Sequence, residues 1–283
     1  MNLITWNIQW CRGCDGRVDP QRIIDVCRGM ADFDVLCFQE VARNYPDLPG
    51  SSGEDQFALL GGLLPGFAAV EGIAVDVLGA GGKRRQFGNL ILTRYPLLQV
   101  FAHLLPWPAD PAVPSMQRMA LEVVLAAPFG PVRVMTTHLE YYSEMQRRQQ
   151  VNCLRELHAE AAGHRGDASH VQKEGGPFET RPRPASAILT ADFNFRADDP
   201  LRERIAFPYS DGTPAYRDAW KVRHGDRPHD HTIGVYDREQ WPEAFTCDFI
   251  FLTEDIAGRV EDVAVNLDTD ASDHQPVLLR LKD

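Results

Sequence analysis

The sequence predicts an α/β protein in which two mixed β-sheets pack together with helices on their outer faces. Short apolar runs recur along the chain, and most are nearly continuous, as expected of strands that are covered on both faces. Two segments between these runs carry the capping residues and the apolar spacing of helices. The 283 residues contain no internal repeat and no linker, so we expect residues 1–283 to form a single domain.

Each predicted strand is a short apolar run that ends at or beside a polar residue. Runs this short favour strands over helices. In chain order they are Leu3 to Ile8, Val35 to Phe38, Leu90 to Thr93, Met119 to Leu125, Val132 to Thr137, Ala187 to Thr190, Phe249 to Leu252 and Pro276 to Leu281.

The two predicted helices are recognised by their first residues. Asp19 is placed as an N-cap with Pro20 at the first helical position, and apolar residues follow on a single face. Ser143, with Gln146 three residues later, indicates a capping box that opens a second helix running to about Gly163.

The stretch from His164 to Ala185 is rich in proline, glycine and charged residues, which predicts a loop. If the strands on either side of the second helix form a parallel crossover, this loop enters the next strand at its N-terminal end. The residues after His138 and after Thr190 then lie at the opposite edge of the sheet. We therefore predict a surface excursion here rather than a lid over a site.

Composition restricts the classes of protein to consider. The chain is 44% hydrophobic and 24% charged, so it has enough apolar residues for a large core. No apolar stretch approaches the ~20 residues that span a bilayer, and the N-terminus lacks the basic flank and apolar block of a signal peptide. The six cysteines are too sparse for a disulfide framework. We therefore expect a cytoplasmic protein without stable membrane insertion.

The net charge of −11 bears on the choice of substrate. It argues against a protein whose main task is to hold nucleic acid by its phosphates, because such binding depends on lysine and arginine. Phosphate chemistry remains open, since a bound divalent cation reverses the local field. The charge is also compatible with a small-molecule or lipid-headgroup substrate.

Polar side chains mark the ends of the apolar runs. Each has an ordinary explanation, as a turn former, a surface charge or a hydrogen-bonded core histidine. Together they suggest one site, because polar groups gathered at one edge of a buried sheet must pair with one another or with a ligand. The residues concerned are Asn7, Glu40, His138, Asp192, Asn194, Asp248, Asp273 and His274.

The chemistry of these side chains is consistent with one reaction class. Carboxylates, amides and imidazoles form an oxygen-rich site suited to Mg²⁺ or Mn²⁺, whereas zinc favours thiolates or a tighter histidine cluster. Such a cation neutralises a phosphate and stabilises a leaving oxygen while an aspartate prepares water for attack. Imidazoles and an amide then donate to the phosphoryl oxygens. A carboxylate beside an imidazole, as in Asp273-His274, fixes its tautomer and raises its basicity.

Seven short motifs, in this order, resemble the motif set of the endonuclease/exonuclease/phosphatase superfamily. They are "TWNIQW", "FQEV", "GNLILTRYP", "TTHLE", "ADFNFR", "CDFIFLTED" and "SDHQPV". The resemblance extends from residue 3 to about residue 279. It implies a deoxyribonuclease-I-like four-layer α/β sandwich and a metal-dependent hydrolase that acts on phosphoester bonds.

The resemblance also implies roles for metal and water. Glu40 matches the principal metal ligand of the family, and Asn7 matches the amide of the metal site. Asp192 is similar to the aspartate that orients or deprotonates the attacking water. Asn194 resembles the amide that contacts the phosphate and positions the water.

The remaining roles concern charge on the phosphoryl group. His138 and His274 match the two histidines that stabilise that charge. Asp248 matches an aspartate that orients a histidine, and Asp273 is similar to a carboxylate that supports the site through a histidine or through the metal. The family commonly has a branched aliphatic residue at the position of Cys247, and we expect this small, uncharged replacement to have little effect.

The sequence leaves three functions open. The first is a phosphodiesterase or phosphatase acting on a small molecule or a lipid headgroup. The second is a nuclease or a DNA-end-processing enzyme similar to tyrosyl-DNA phosphodiesterases. The third, a binding protein that has lost catalysis, is disfavoured by the complete set of site residues. Loops from Gln9 to Val18, Val41 to Gln56 and Phe207 to Thr246 adjoin the predicted site and are expected to set substrate choice.

Overall fold

A computed structural model describes residues 1–166, 175–179, 181 and 183–283. These residues form two six-stranded sheets that pack face to face, with helices outside, and this confirms the predicted fold class. The strands, in chain order, are β1 (Asn2–Asn7), β2 (Val35–Arg43), β3 (Ala68–Leu78), β4 (Arg84–Thr93), β5 (Leu97–Leu104), β6 (Met119–Ala127), β7 (Gly130–His138), β8 (Ala187–Asp192), β9 (Tyr216–Asp218), β10 (Asp248–Thr253), β11 (Val260–Val265) and β12 (Val277–Leu281).

The helices lie on the outer faces of the sandwich. α1 and α2 contribute to an apolar cluster on the outside of the first sheet, and α3 contributes to another on the outside of the second. A third cluster fills the space between the sheets. The helix bounds are α1 (Pro20–Met30), α2 (Gln56–Gly62), α3 (Glu144–Gly163), α4 (Pro200–Ala206), α5 (Ala219–His224) and α6 (Glu254–Ala257).

Strand order places the ends of six strands at one edge of the sandwich. The first sheet has the order β11-β12-β1-β2-β4-β3, and the second has the order β5-β6-β7-β8-β10-β9. β1 runs parallel to β2, and β7 runs parallel to β8, so their carboxyl ends point the same way within each sheet. β12 and β10 are antiparallel to β1 and β8, so they begin where β1 and β8 end. Because β1 packs against β8 and β2 packs against β7, the two sets of strand ends meet.

All the predicted strands are present, and both predicted helices begin where expected. Asp19 caps α1 by accepting from the Arg22 amide, and Ser143 caps α3 by accepting from the Gln146 amide at 3.2 Å. The capping box is incomplete, because the Gln146 side chain donates to the Pro108 carbonyl instead of returning to the cap. β7 and β8, which lie on either side of α3 in the sequence, are parallel, so the crossover that the sequence left as a condition is present.

The strands that the sequence did not predict are the four edge strands. β3 and β11 bound the first sheet, and β5 and β9 bound the second. An edge strand is only partly covered, so its sequence mixes exposed residues with half-buried or buried ones instead of running continuously apolar. The segment from Phe207 to Thr246, predicted as a loop, contains both β9 and α5.

The remaining expectations concern the loop before β8, membrane-spanning helices and the cysteines. The predicted excursion from His164 to Ala185 falls largely on residues 167–174, 180 and 182, which lie outside the described residues. Among the described helices, none combines the length and the apolar content needed to cross a membrane. The six cysteines are all free thiols, as expected.

Candidate active site

Asn7, the last residue of β1, joins the two sheets at the edge where the strand ends meet. Its side-chain amide donates to Oε1 of Glu40 and to Oδ2 of Asp192, each at 3.0 Å. The same nitrogen lies 3.5 Å from Nε2 of His274. Glu40 belongs to the first sheet and Asp192 to the second, so one amide connects residues far apart in the sequence.

Glu40 reaches this position through a β-bulge. β2 and β4 pair Phe38 with Leu90 and Val41 with Gly88, so two residues of β2 lie opposite one residue of β4. Glu40 has a φ of 60°, a left-handed conformation that is uncommon for a non-glycine residue. Such a conformation costs about 1–3 kcal/mol and persists only where neighbouring contacts enforce it.

Gln39, the residue before Glu40, provides such contacts, and the sequence did not indicate its role. Its side chain is completely buried between the sheets. The amide nitrogen donates to Oγ1 of Thr5 at 3.1 Å and to Oγ1 of Thr136 at 2.8 Å. These bonds tie β2 to β1 and to the opposing sheet directly beside the bulge. Gln39 stands in the motif "FQEV", but its partners are distant in the sequence.

Glu40 lies in a crowded negative environment. Burial, and next the negative charge of Asp273, raise the pKa of Glu40 to about 7. Its side chain nevertheless keeps 19% of its surface exposed, so the carboxylate is accessible from outside. Several carboxylates crowded together with partial access fit a divalent cation, which would relieve their mutual repulsion.

The orientation of Asn7 limits how it meets such a cation. Its Oδ1 accepts from the backbone amide of Gln9 at 3.1 Å, and its nitrogen faces the carboxylates. A metal beside Glu40 would be bound by Asn7 only with this amide rotated. The assignment of Asn7 as a metal ligand therefore stays a prediction.

Asp192 ends β8 and is 1% exposed. Burial raises the pKa of its carboxyl to about 6, against the opposing effect of the positive charge on His274. Oδ1 accepts from the backbone amide of Asn194 at 2.9 Å. Asn194 has a φ of 52° and directs its side-chain nitrogen to the Leu139 carbonyl, so it shapes the loop after β8.

His138 ends β7 beside Asp192. Its Nε2 lies 3.4 Å from Oδ2 of Asp192, and its Nδ1 lies 3.9 Å from Oε1 of Glu40. Burial, followed by the positive charges of Arg118 and His274, holds the pKa of His138 well below its usual range. The imidazole is therefore neutral, and its buried Nδ1 has no hydrogen-bond partner within the described part of the chain.

His274 has the opposite protonation state. Its Nδ1 lies 2.9 Å from Oδ2 of Asp248, and its Nε2 lies 3.7 Å from Oδ2 of Asp192. Burial alone would lower the pKa of His274, but the charges of Asp248, Asp192 and Asp273 outweigh it and hold that pKa well above its usual range. Two neighbouring histidines thus differ in charge because different groups surround them.

The other two predicted aspartates have different contacts. Asp248 begins β10 and directs Oδ2 to His274, while its buried Oδ1 finds no hydrogen-bond partner in the described residues. Oδ2 of Asp273 accepts from Nε1 of Trp241 at 3.3 Å, and among the described residues Asp273 forms no ion pair with a histidine. Of the two predicted modes of support, a contribution to the charge around Glu40 therefore fits Asp273 better than a histidine pair.

A cavity of about 880 Å³ adjoins the site at Asn194. Its aromatic wall includes Tyr141, Tyr142, Trp241 and Phe245, in which the Tyr141 and Trp241 ring centroids lie 5.9 Å apart. Tyr141 and Tyr142 are 43% and 57% exposed, so the wall is accessible to a ligand. Its charged residues are Arg147, Arg196, Glu144, Asp198, Asp199 and Glu243.

Acids, amides and imidazoles are thus collected at one edge of a two-sheet sandwich. The model of the Endonuclease/Exonuclease/phosphatase family matches residues 4–274, and the chain belongs to that family. No curated protein sequence matches the chain.

Solved structures agree with this fold. An endonuclease/exonuclease/phosphatase from Beutenbergia cavernae DSM 12333 is 25% identical, with a TM-score of 0.72 over 99% of this chain and 71% of that one. A mannosyl-6-phosphatase from Bacteroides thetaiotaomicron VPI-5482 is 16% identical, with a TM-score of 0.65 over all of both chains. D. rerio TDP2 complexed with single strand DNA product is 17% identical, with a TM-score of 0.61 over 99% and 97% of the two chains.

Proposed function

We propose that the protein is a divalent-metal-dependent phosphoester hydrolase, a phosphodiesterase or phosphatase of small-molecule or lipid-headgroup esters. The observation that carries this proposal is the bridge from Asn7 to Glu40 and Asp192, with one neutral and one positively charged imidazole beside it. This arrangement combines a candidate cation site, a base and two imidazole hydrogen-bond donors, one of them positive, within one cluster. Metal-assisted phosphoester hydrolysis can use all three elements.

Glu40 would hold the cation, with Mg²⁺ or Mn²⁺ favoured because the donors around it are carboxylate and amide oxygens. Asn7 and Asp273 would complete its protein surroundings. When bound, the ion supplies positive charge to the phosphate and to the leaving oxygen. Residues of the chain supply the rest of the chemistry.

Asp192 is the proposed base. It is deprotonated at neutral pH, but burial keeps its pKa near 6, so it is a stronger base than an exposed aspartate. In the reaction, Asp192 takes a proton from water as the water oxygen bonds to phosphorus and the ester oxygen departs. The backbone amide of Asn194 holds Oδ1 of Asp192 and thereby orients the carboxylate.

The two histidines are the proposed donors to the phosphoryl oxygens. His274 is an imidazolium whose Nδ1 donates to Asp248, which leaves the Nε2 proton facing the cluster. His138 is neutral and so donates through only one of its nitrogens. A positive donor and a neutral donor together stabilise negative charge that develops in the transition state.

The cavity beside Asn194 supports the preference for a small ester. Four carboxylates and two arginines line it, so its charge opposes a long polyanion. Arg147 is occupied by the backbone carbonyls of Glu140 and Tyr141, and Arg196 lies over the Phe245 ring. The cavity is therefore better suited to an uncharged or cationic alcohol portion of the substrate than to a nucleic-acid strand.

Nuclease or DNA-end-processing activity is the second candidate. The exposed rings of Tyr141 and Tyr142 favour it, because aromatic faces stack on unpaired bases. A relative of the same fold, D. rerio TDP2, was solved with a single strand DNA product. At 17% identity that likeness shows the fold alone.

A hydrolysis panel tests the proposal. Bis-p-nitrophenyl phosphate, mononucleotides, single- and double-stranded DNA and phospholipid headgroups are compared with Mg²⁺, with Mn²⁺ and with EDTA. We expect metal-dependent turnover of a small ester that is lost in Asp192→Asn. Equal turnover in EDTA and in the variant would rule out a metal-dependent hydrolase. Preferred cleavage of DNA, with binding that weakens steeply as salt rises, would establish the second candidate instead.

A further inference from the structure

Cys247 stands at the back of the site, where the sequence indicated no function for it. It precedes β10 and is 1% exposed. Its Sγ lies 3.5 Å from Oδ2 of Asp248 and 4.0 Å from Nδ1 of His274. The thiol therefore contacts both members of the Asp248–His274 pair.

These atoms form a group of potential metal ligands. One donor atom from each of Asp192, Cys247, Asp248 and His274 lies within 4.8 Å of the others, and all four residues are buried. Oδ1 of Asp248 is also buried without a hydrogen-bond partner among the described residues. A buried carboxylate oxygen without a partner is costly, so Asp248 has an oxygen free for a ligand in addition to the Oδ2 that faces Cys247 and His274.

The spacing of the three nearest donors is close to that of a tetrahedral zinc site. Bonds of about 2.3 Å to sulfur and about 2.0–2.2 Å to nitrogen or oxygen separate sulfur from the other ligands by roughly 3.6 Å, and nitrogen from oxygen by roughly 3.3 Å. The observed separations are 3.5 Å from sulfur to oxygen, 4.0 Å from sulfur to nitrogen and 2.9 Å from nitrogen to oxygen. Changes of about 0.4 Å in these separations would bring the three donors to zinc-binding spacing, and the Asp192 carboxylate, within 4.8 Å, would have to move closer to complete the site.

We propose that Cys247, Asp248 and His274, with Asp192 as the fourth ligand, bind Zn²⁺ and that this binding inhibits the enzyme. The donor set of one thiolate, one imidazole and two carboxylates is suited to zinc. Magnesium, a hard cation, prefers the oxygen donors around Glu40. The two ions therefore select different groups of ligands at one edge of the sandwich.

Inhibition follows from the atoms that zinc would occupy. Binding releases the thiol proton of Cys247 and the Nδ1 proton of His274 to solvent, and both atoms bond to the ion. His274 then loses its hydrogen bond to Asp248 and its positive charge. Asp192 loses its freedom to accept a proton from water. Zinc inhibition rests on the proposed hydrolase function, whereas zinc binding does not.

Cobalt(II) titration of the metal-free protein tests binding without any assay of activity. Co²⁺ is a spectroscopic stand-in for Zn²⁺, and a thiolate ligand gives a sulfur-to-cobalt absorption band in the near ultraviolet. We expect this band in the wild type, its disappearance when Zn²⁺ is added, and its absence from Cys247→Val. Cys14→Ser is the matched control, because Cys14 is a more exposed thiol whose Sγ donates to the nearby Ser272 carbonyl. A band that persists in Cys247→Val and vanishes in Cys14→Ser would overturn the proposal.

Kinetics test the consequence of binding. Each variant is compared with its own Mg²⁺-supported rate, and the Zn²⁺ concentration that halves this rate is measured. We expect Cys247→Val to need at least about tenfold more Zn²⁺ than the wild type, as loss of a ligand weakens a metal site by this much or more. Equal sensitivity of both proteins would overturn inhibition through Cys247.

Two further measurements keep the outcomes separate. If Cys247→Val melts well below the wild type, Cys247→Ser replaces it, because serine keeps the size of the side chain and removes the soft ligand. If the wild type hydrolyses none of the esters, the proposed function fails, and the cobalt titration still decides whether the zinc site exists.

Discussion

Nδ1 of His274 lies 2.9 Å from Oδ2 of Asp248, and both side chains are buried. This contact holds the imidazolium charge and directs Nε2 towards Asp192. We predict that Asp248→Asn lowers kcat by roughly 10²-fold, because the amide keeps a hydrogen bond but no longer stabilises the charged imidazole. Because the His274 pKa should fall in this variant, kcat should begin to decline at a lower pH than in the wild type as the pH is raised. Asp268→Asn, an exposed aspartate, is the control and should change neither quantity.

Glu40 should act on the metal rather than on the chemical step. We predict that Glu40→Gln raises the Mg²⁺ concentration for half-maximal rate by about 10–100-fold, because the main anionic ligand is lost. At saturating Mg²⁺ much of the rate should return. Glu71→Gln removes an exposed carboxylate of β3 and should leave the Mg²⁺ requirement unchanged. His274→Ala provides the contrast, since it should lower kcat, and a change only in its Mg²⁺ requirement would refute the assigned roles.

The raised pKa of Glu40 predicts competition between protons and the metal. Burial and the nearby Asp273 place that pKa at about 7 in the metal-free protein. Below about pH 7, binding of the cation must displace a proton, so the Mg²⁺ concentration for half-maximal rate should rise by up to about tenfold per pH unit. Above that pH it should level off. Measurement of Mg²⁺ saturation curves across this range checks the prediction, and a requirement that is constant with pH would contradict it.

The clustering of the candidate site residues could be predicted from the sequence because these residues follow buried strands. Asn7, His138 and Asp192 each come last in a nearly continuous apolar run. The sequence therefore indicates both the strand and the residue at which it ends. The edge strands were not visible, because a strand such as β5 alternates between exposed and half-buried residues at the rim of its sheet. Its position depends on pairing with β6, which no local pattern indicates.

Contacts between distant residues account for what the sequence did not show. Gln39 binds Thr136 across the sandwich, and Trp241 donates to Asp273 from a loop that carries no strand signal. The expectation that Cys247 has little effect was drawn from its size and charge. In the structure, however, the thiol contacts Asp248 and His274. These contacts form where β10 meets the segment before β12, and no local sequence pattern indicates that meeting.

A buried histidine outside the site predicts how stability depends on pH. Nδ1 of His158 lies 2.6 Å from the Arg133 guanidinium, and burial and this charge lower the pKa of His158 to about 4. The unfolded chain gains a proton on this residue below about pH 6.5, whereas the folded protein does not until about pH 4, so the free energy of unfolding should fall by about 2 kcal/mol between pH 7 and pH 5 from this residue. His158→Gln should remove that part of the decrease in urea unfolding. His231→Gln, at an exposed histidine, should keep the wild-type slope.

Trp241 offers a test of whether the aromatic wall binds substrate. Its ring contacts Tyr141 edge to face, and its Nε1 donates to Asp273. If the wall contacts the alcohol portion of the ester equally in the ground state and in the transition state, Trp241→Ala should raise KM by about tenfold for an aromatic ester with little change in kcat. Trp107→Ala, which removes a half-exposed tryptophan elsewhere, is the control.

Trp241→Phe separates the ring from the hydrogen bond. Phenylalanine keeps an aromatic face beside Tyr141 but has no donor for Asp273, so KM should stay near the wild-type value if stacking is the main contribution. A fall in kcat in both variants, with KM unchanged, would instead assign Trp241 to holding the Asp273 carboxylate. In that case the charge around Glu40 would depend on a loop residue, and the Mg²⁺ requirement of both variants should change with it.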